Sequence, residues 1–334
     1  MALSFIEQTT GHLIREAERL GFSFQDIIPA RPVPGFERFR AWIDRGHHAG
    51  MRYLSEHLQA RQSPDSILPG ASTVLMLAFP WDALLKTSSR ASFEHLAPQP
   101  GEPYGIIASY AVGPDYHAEI RDRLKTLATQ HRTLLPNERV RGVVDTAPLL
   151  EREYASLAGL GQIGKNTMLI HPHYGSRVFL AALLSTAPLR ITAPSFRKPA
   201  PKKRENGDKV CPADGSCRCC LEACPTGALR EDWGIDAGKC LNYWTIEHRG
   251  TIPGEIAEQL DRQLFGCERC LNSCPCHGPH IAGIRVSLQK ILAMDESAFR
   301  HTFGKTPLAR SGREKIQQTA RLLLHASSPH IEPR

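Results

Sequence analysis

The chain has 334 residues, ten of them cysteine, with 41% hydrophobic residues, a formal charge of +7 and a pI near 8.9. That length leaves room for two domains with a full apolar core in at least one. The longest apolar stretches, near 73–81 and 178–189, are too short or too interrupted to span a bilayer, so no membrane role is expected, and the mild basicity suits an anionic partner without naming one.

Ile6, Leu13, Ile14, Ala17 and Leu20 recur near helical spacing up to Gly21 and predict a first helix. A Pro-rich connection and a helical run over 48–59 follow. Thr73-Val-Leu-Met-Leu-Ala-Phe79 is apolar enough for a buried strand, and Ile106-Ile-Ala-Ser-Tyr110 and Val140-Arg-Gly-Val-Val144 read as two more, separated by a helix over about 116–135. A helix near 148–158, a glycine-spaced stretch and apolar runs at 167–170 and 178–184 complete a first domain, expected over 1–191, as an α/β layer. Residues 192–209, rich in proline and basic residues, read as an exposed linker. A cysteine-bearing domain is expected over 210–284 and a helical tail with a frayed end over 285–334.

All ten cysteines fall between 211 and 276. Cys217, Cys220 and Cys224 precede Pro225, and Cys267, Cys270 and Cys274 precede Pro275, so each run reads C-x2-C-x3-C-P. In ferredoxin-type pairs of 4Fe-4S clusters the last cysteine of such a run ligates the other cluster. A crossed assignment gives one cluster Cys217, Cys220 and Cys274, and the other Cys224, Cys267 and Cys270. Cys240, between the runs, is the simplest fourth ligand for the latter. For the former the spacing leaves Cys211, Asp214 and Cys219 open, with Cys211 preferred because iron-sulfur clusters favour thiolate. Structural zinc on the C-x2-C pairs is the plainer alternative, though it does not account for two C-x3-C-P endings. The N-terminus lacks a charged-then-apolar leader, so reduced thiols in the cytoplasm are expected rather than disulfides.

Gly159, Gly161 and Gly164 resemble a phosphate-binding loop loosely, without a strand directly before them, and read equally as a helix cap with a close-packed turn. Asp145 ends a predicted strand just before a helix, where a carboxylate either caps that helix or points into a site.

Val144-Asp-Thr-Ala-Pro-Leu-Leu-Glu-Arg152, Ala158-Gly-Leu-Gly-Gln-Ile-Gly-Lys-Asn166 and Ser109-Tyr-Ala-Val-Gly-Pro-Asp-Tyr-His117 resemble the cobalamin-dependent tRNA epoxyqueuosine reductases. So do His48-Ala-Gly-Met-Arg-Tyr-Leu54, Cys240-Leu-Asn-Tyr-Trp-Thr-Ile-Glu247 and both cysteine runs, in the right order from about 10 to 320. The resemblance implies a nitroreductase-like α/β (α+β) cobalamin domain, a bacterial ferredoxin-like domain with two 4Fe-4S clusters, and reduction of epoxyqueuosine to queuosine at the tRNA wobble position, the final step of queuosine biosynthesis. It makes Asp145 the proton donor, which desolvation in an apolar pocket would keep partly protonated. It also places Ser109, Tyr110, Lys165, Ile170, Ser176 and Ala181 in segments that line the corrin. The family usually has arginine where Ser109 stands and tryptophan where Gln162 and Cys276 stand. Many relatives continue into helical repeats that help hold tRNA, so here binding is expected to rest on Arg249, Arg285, Arg300, Lys305, Arg310 and Arg313, with Arg249, Arg310 and Arg313 the named contacts. An external low-potential electron donor and a monomeric state complete the expectation. A small-molecule corrinoid reductase of the reductive dehalogenase kind and a non-catalytic electron carrier are the alternative readings.

Overall fold

The computed structural model of the chain describes residues 2–23, 26–87, 90–190, 211–212, 214–276 and 282–327. Among the described residues nine strands follow one another: β1 (Ile27–Pro29), β2 (Thr73–Pro80), β3 (Tyr104–Ile107), β4 (Val140–Val144), β5 (Gln162–Ile163), β6 (Leu169–Ile170), β7 (Val178–Ser185), β8 (Gln263–Phe265) and β9 (Ile284–Ser287). The largest sheet has the order β1-β2-β7-β4 with every pair antiparallel. Helices and strands alternate as the sequence suggests, yet the sheet is of the α+β kind.

β2 is buried throughout, and apolar after Thr73, because both faces of the sheet are covered. Leu75, Leu77 and Phe79 pack with Leu13, Ala17, Ile120, Leu124 and Leu127, from the helices Ala2–Arg19 and Tyr116–Leu134. The alternate residues Val74, Met76 and Ala78 face the other way, toward Tyr154, Ala155 and Leu157 of the helix Glu151–Leu157. This period-two division of one strand between two cores makes a helix–sheet–helix sandwich.

The second sheet, ordered β8-β3-β9, joins distant parts of the chain. β3 pairs parallel with β8 and antiparallel with β9. Its core combines Phe93, Leu96 and Ile107 with Leu264, Phe265, Val286, Phe303, Ile316 and Leu323, so the C-terminal helices Leu288–Ala293, Glu296–Phe303 and Arg313–Ser327 are packed onto it. A strand from the first 191 residues is thus bonded to strands from both later segments.

Three local expectations need correction. The run over 48–59 is not one helix but a short helix Arg52–Glu56 and a 3-10 turn Gln59–Arg61, because neither segment buries an apolar stripe. The strand expected to reach Tyr110 stops at Ile107 and turns into a 3-10 segment Ser109–Ala111. The chain after 284 begins with β9 before turning helical. The linker over 192–209 and the last seven residues lie outside the described residues. No described helix is long and apolar enough to cross a membrane.

The glycine-spaced stretch takes its plainer form. Gly159, at φ +78°, follows the C-cap of the helix Glu151–Leu157, where the Leu160 N–H returns to the Ala155 carbonyl at 3.0 Å. Gly161 lies so close to β6 that an added Cβ would stand 2.2 Å from the Ile170 carbonyl oxygen. Gly161→Ala should therefore lower stability by about 1–3 kcal/mol, the usual cost of overpacking. A thermal unfolding midpoint equal to the wild type would contradict that packing.

Candidate active site and cluster ligands

β4 ends at Val144, and Asp145 turns away from it at φ +49°, a left-handed conformation uncommon outside glycine and often found at functional sites. Asp145 does not cap the following helix, whose N-cap is Leu150 with no side-chain cap. Its Oδ2 instead accepts from Tyr116 Oη at 3.0 Å and pairs with His117 Nε2 at 2.8 Å. The other ring nitrogen, His117 Nδ1, is 2.7 Å from Asp115 Oδ1, which also accepts the His117 backbone N–H and so caps the helix Tyr116–Leu134. The Tyr116 ring lies 4.0 Å from both the His117 and Phe179 rings, fixing the start of this helix beside Asp145.

Electrostatics reverse the protonation expected from burial. Desolvation pushes the Asp145 carboxyl up, but the His117 and Tyr116 hydrogen bonds, the His117 charge and Arg310 hold it below the ordinary carboxylate range. Burial alone would lower His117, yet the two flanking carboxylates raise it to about 9. Near neutrality the proton therefore sits on His117 and the charge on Asp145. The Asp145 side chain is 48% exposed, and that exposure opens into a cavity.

This cavity, about 820 Å³, is lined by the aromatic side chains Trp81, Tyr110, Tyr116 and Phe179 and by Cys224, Cys240, Cys267 and Cys270. Its size is at the upper end of roughly 300–1,000 Å³ typical of small-molecule sites. A second cavity of about 230 Å³ is lined by Cys211, Cys217, Cys220 and Cys274, with Cys219 and Cys276 beside them. The short helices Cys219–Glu222 and Arg269–Asn272 pack together, which lets each run pass its last cysteine to the other group. Cys211 is held inward: its Sγ accepts the Lys165 backbone N–H at 3.4 Å and its carbonyl accepts from Gln162 Nε2 at 2.7 Å. Asp214 is exposed, accepts the Ser216 N–H at 2.9 Å and does not line the cavity.

The residues fit the implied groups. The four thiols of each set line one cavity, Cys211, Cys217, Cys220 and Cys274 the smaller and Cys224, Cys240, Cys267 and Cys270 the larger. The larger cavity offers aromatic surface to a broad, flat cofactor, with four thiols in the same lining.

The remaining expected residues divide. Tyr110 lines the large cavity, while Lys165 and Ile170 line the small one. The Lys165 ammonium is buried, pairing with Glu231 at 2.8 Å and donating to the Gly215 carbonyl at 3.1 Å, so it braces the loop after Cys211. Ser109 turns from the cavity and is bonded to Glu268, and neither Ser176 nor Ala181 lines either cavity. Ala181 sits mid-sheet between Leu77 and Val144. Of the three arginines, Arg310 lines the large cavity; Arg249 donates to the Arg310 and Ser311 carbonyls at 3.2 Å, and Arg313 pairs with Glu296 at 3.3 Å. Sequence reasoning gave no role to Asp115, Tyr116, His117 or Cys276. The first three had one visible signal, an Asp at a helix start with an ionisable residue two positions on.

Residues 61–146 match the family model described as epoxyqueuosine reductase QueG, DUF1730, and residues 215–277 match a 4Fe-4S double cluster binding domain. An epoxyqueuosine reductase of Cyclobacterium marinum is 30% identical over 98% of this chain and 100% of its own length. The chain belongs to the epoxyqueuosine reductase family. The Escherichia coli K12 epoxyqueuosine reductase is 32% identical over 77% of this chain, and that alignment covers 61% of the relative's own length. Among solved structures, an epoxyqueuosine reductase with an epoxyqueuosine-modified tRNA-Tyr stem loop superposes with a TM-score of 0.80 at 26% identity, over 95% of this chain and 81% of that one. The enzyme from Streptococcus thermophilus gives 0.78 at 25% identity, over 94% and 80%. Family membership carries with it a cobalamin and two 4Fe-4S clusters.

If the two carboxylates hold the His117 proton, Asp145→Asn should move its NMR titration midpoint down from about 9. The sign follows from linkage: with the folded pKa raised, the contribution to stability is full below the ordinary histidine value of about 6.5 and is lost as pH rises through about 9. A midpoint unmoved by Asp145→Asn would refute the pairing.

Proposed function

We propose that this protein reduces epoxyqueuosine to queuosine at the tRNA wobble position, releasing the epoxide oxygen as water. The observation that carries the reading is that one cavity joins the Asp145–His117 pair to four cluster-type thiols. Bound cobalamin would supply low-potential electron transfer to the epoxide carbon. Converting an epoxide to an alkene consumes two electrons and two protons per water released. His117, held by Asp115, stores one of these protons; Asp145, ionised at rest, receives it through the 2.8 Å contact as it passes it to the departing oxygen, and re-protonation of His117 from solvent supplies the second by the same route. Trp81, Phe179 and Tyr110 keep bulk water from the reacting face.

Cys224, Cys240, Cys267 and Cys270 would hold the cluster next to this chemistry, and Cys211, Cys217, Cys220 and Cys274 the more remote one. An external low-potential donor would deliver its electrons on the side of Cys211, Cys217, Cys220 and Cys274. The wobble base must leave its stack to reach a cavity of this depth, as in other enzymes that act on bases. Arg310, half-exposed at the cavity and 3.6 Å from Glu247, would meet the anticodon backbone, with Arg249 bracing its main chain. We assign the protein to the cytoplasm as a monomer. A small-molecule corrinoid reductase is not favoured, since the relatives spanning the chain are epoxyqueuosine reductases.

With reconstituted protein, cobalamin and modified tRNA, Asp145→Ala should slow queuosine formation by roughly 10²–10⁴-fold, the usual worth of a positioned acid. Nucleoside mass spectrometry showing unimpaired conversion would remove Asp145 from the chemistry, and no conversion by intact wild-type holoenzyme would overturn the function. Wild-type turnover should also decline as pH rises through about 9, where His117 loses its proton. Arg310→Ala should weaken tRNA binding and flatten its log–log salt dependence by about 0.7–0.9, one phosphate contact; an unchanged slope would place Arg310 away from the tRNA.

A further inference from the structure

We propose that Cys276 is an alternative fourth ligand of the remote cluster, able to take the place of Cys211 on its iron. This rests on the proposed ligand set, in which Cys211, Cys217, Cys220 and Cys274 hold that cluster.

The smaller cavity holds more thiols than a cluster can use. Its lining contains those four cysteines together with Cys219 and Cys276. A 4Fe-4S cluster takes four protein thiolates, one on each iron, so two of the cavity's thiols stand aside at any moment. The two spare thiols are not equivalent. Cys219 is exposed and directly precedes the ligand Cys220 on the short helix Cys219–Glu222, where consecutive side chains do not share a face. Cys276 is only 7% exposed, and its thiol interacts electrostatically with those of Cys274, Cys211 and Cys217, three members of the ligand set. It is the spare thiol already enclosed with the cluster.

Cys211 and Cys276 are tethered from different sides. Cys276 lies two residues beyond Cys274, across Pro275, and so arrives with the second cysteine run. Cys211 is tied to the first domain, its Sγ accepting the Lys165 N–H at 3.4 Å and its carbonyl accepting from Gln162 Nε2 at 2.7 Å. Cys217, Cys220, Cys274 and Cys276 thus form a complete thiolate set within the cysteine-bearing segment, whereas the set that includes Cys211 bridges that segment to the first domain. Exchange breaks the iron–sulfur bond to Cys211, forms one to Cys276 and passes the Cys276 proton to the Cys211 sulfur. No electron moves, and one soft thiolate replaces another, so the cluster keeps its charge and its preferred ligand type. The remote cluster therefore persists whether or not the Cys211 segment is docked.

The test is iron and sulfide analysis of anaerobically reconstituted holoprotein, with EPR of the dithionite-reduced state. Cys211→Ala and Cys276→Ala should each keep the iron of both clusters, while the double variant should lose the iron and the EPR signal of one. Loss of a cluster in either single variant would overturn the proposal, as would retention of both clusters in the double variant. Should Cys211→Ala fail to fold, the closer isostere Cys211→Ser serves in its place, with and without Cys276→Ala; the two proteins should differ in the signal of one cluster, and identical spectra would overturn the exchange. Wild-type protein carrying iron for only one cluster would instead overturn the ligand assignment beneath it, a distinguishable failure.

Discussion

The parallel pairing of β3 with β8 is the contact on which the site depends. The Ile106 N–H reaches the Arg262 carbonyl at 2.6 Å and the Ala108 N–H the Phe265 carbonyl at 2.9 Å. These bonds fix where both strands end. Beyond β3 the chain runs through Ser109 and Tyr110 to Asp115 and His117; beyond β8 it enters the second cysteine run. Two segments with different chemistry, one handling protons and one suited to electrons, thus leave adjacent strands and border one cavity. Neither the antiparallel sheet nor the cysteine runs alone would bring them together.

The central sheet supplies the third element. β4 is clamped against β7 from Val140 opposite Ser185 to Val144 opposite Ala181, so the residue after Val144 emerges at a fixed point. The left-handed turn at Asp145 then directs its carboxylate toward His117 rather than along the strand. Backbone conformation and hydrogen bonding specify this carboxylate jointly, which is why its charge state departs from what burial alone would dictate.

Legibility in the sequence tracks the range of the interactions concerned. The strand at 73–79 and the helix at 116–135 differ from the observed elements by a residue, because each has an apolar pattern long enough to declare itself. The crossed grouping of cysteines could be reasoned from spacing and ligand number. The partners of β3 could not, since three- and four-residue strands carry little pattern and their pairing spans about half the chain. His117 was hidden for another reason: a histidine at the second position of a capped helix looks like any first-turn residue until β4 delivers Asp145 beside it. Lys165 was mislocated because its neighbours Cys211 and Gly215 lie across the linker.

The interleaving of segments also bears on biogenesis. Ile107 must wait for Phe265, and the core over that pair is closed by Ile316 and Leu323 near the chain's other end. Contacts of such separation form late, after the local helices and the β2–β7 ladder have had time to assemble. During synthesis the ten thiols would therefore emerge before the wall that shelters them is complete. Cluster insertion would meet an open cysteine loop, and the larger cavity could close only once the segment carrying Thr306, Pro307 and Arg310 docks, giving maturation an order imposed by chain topology.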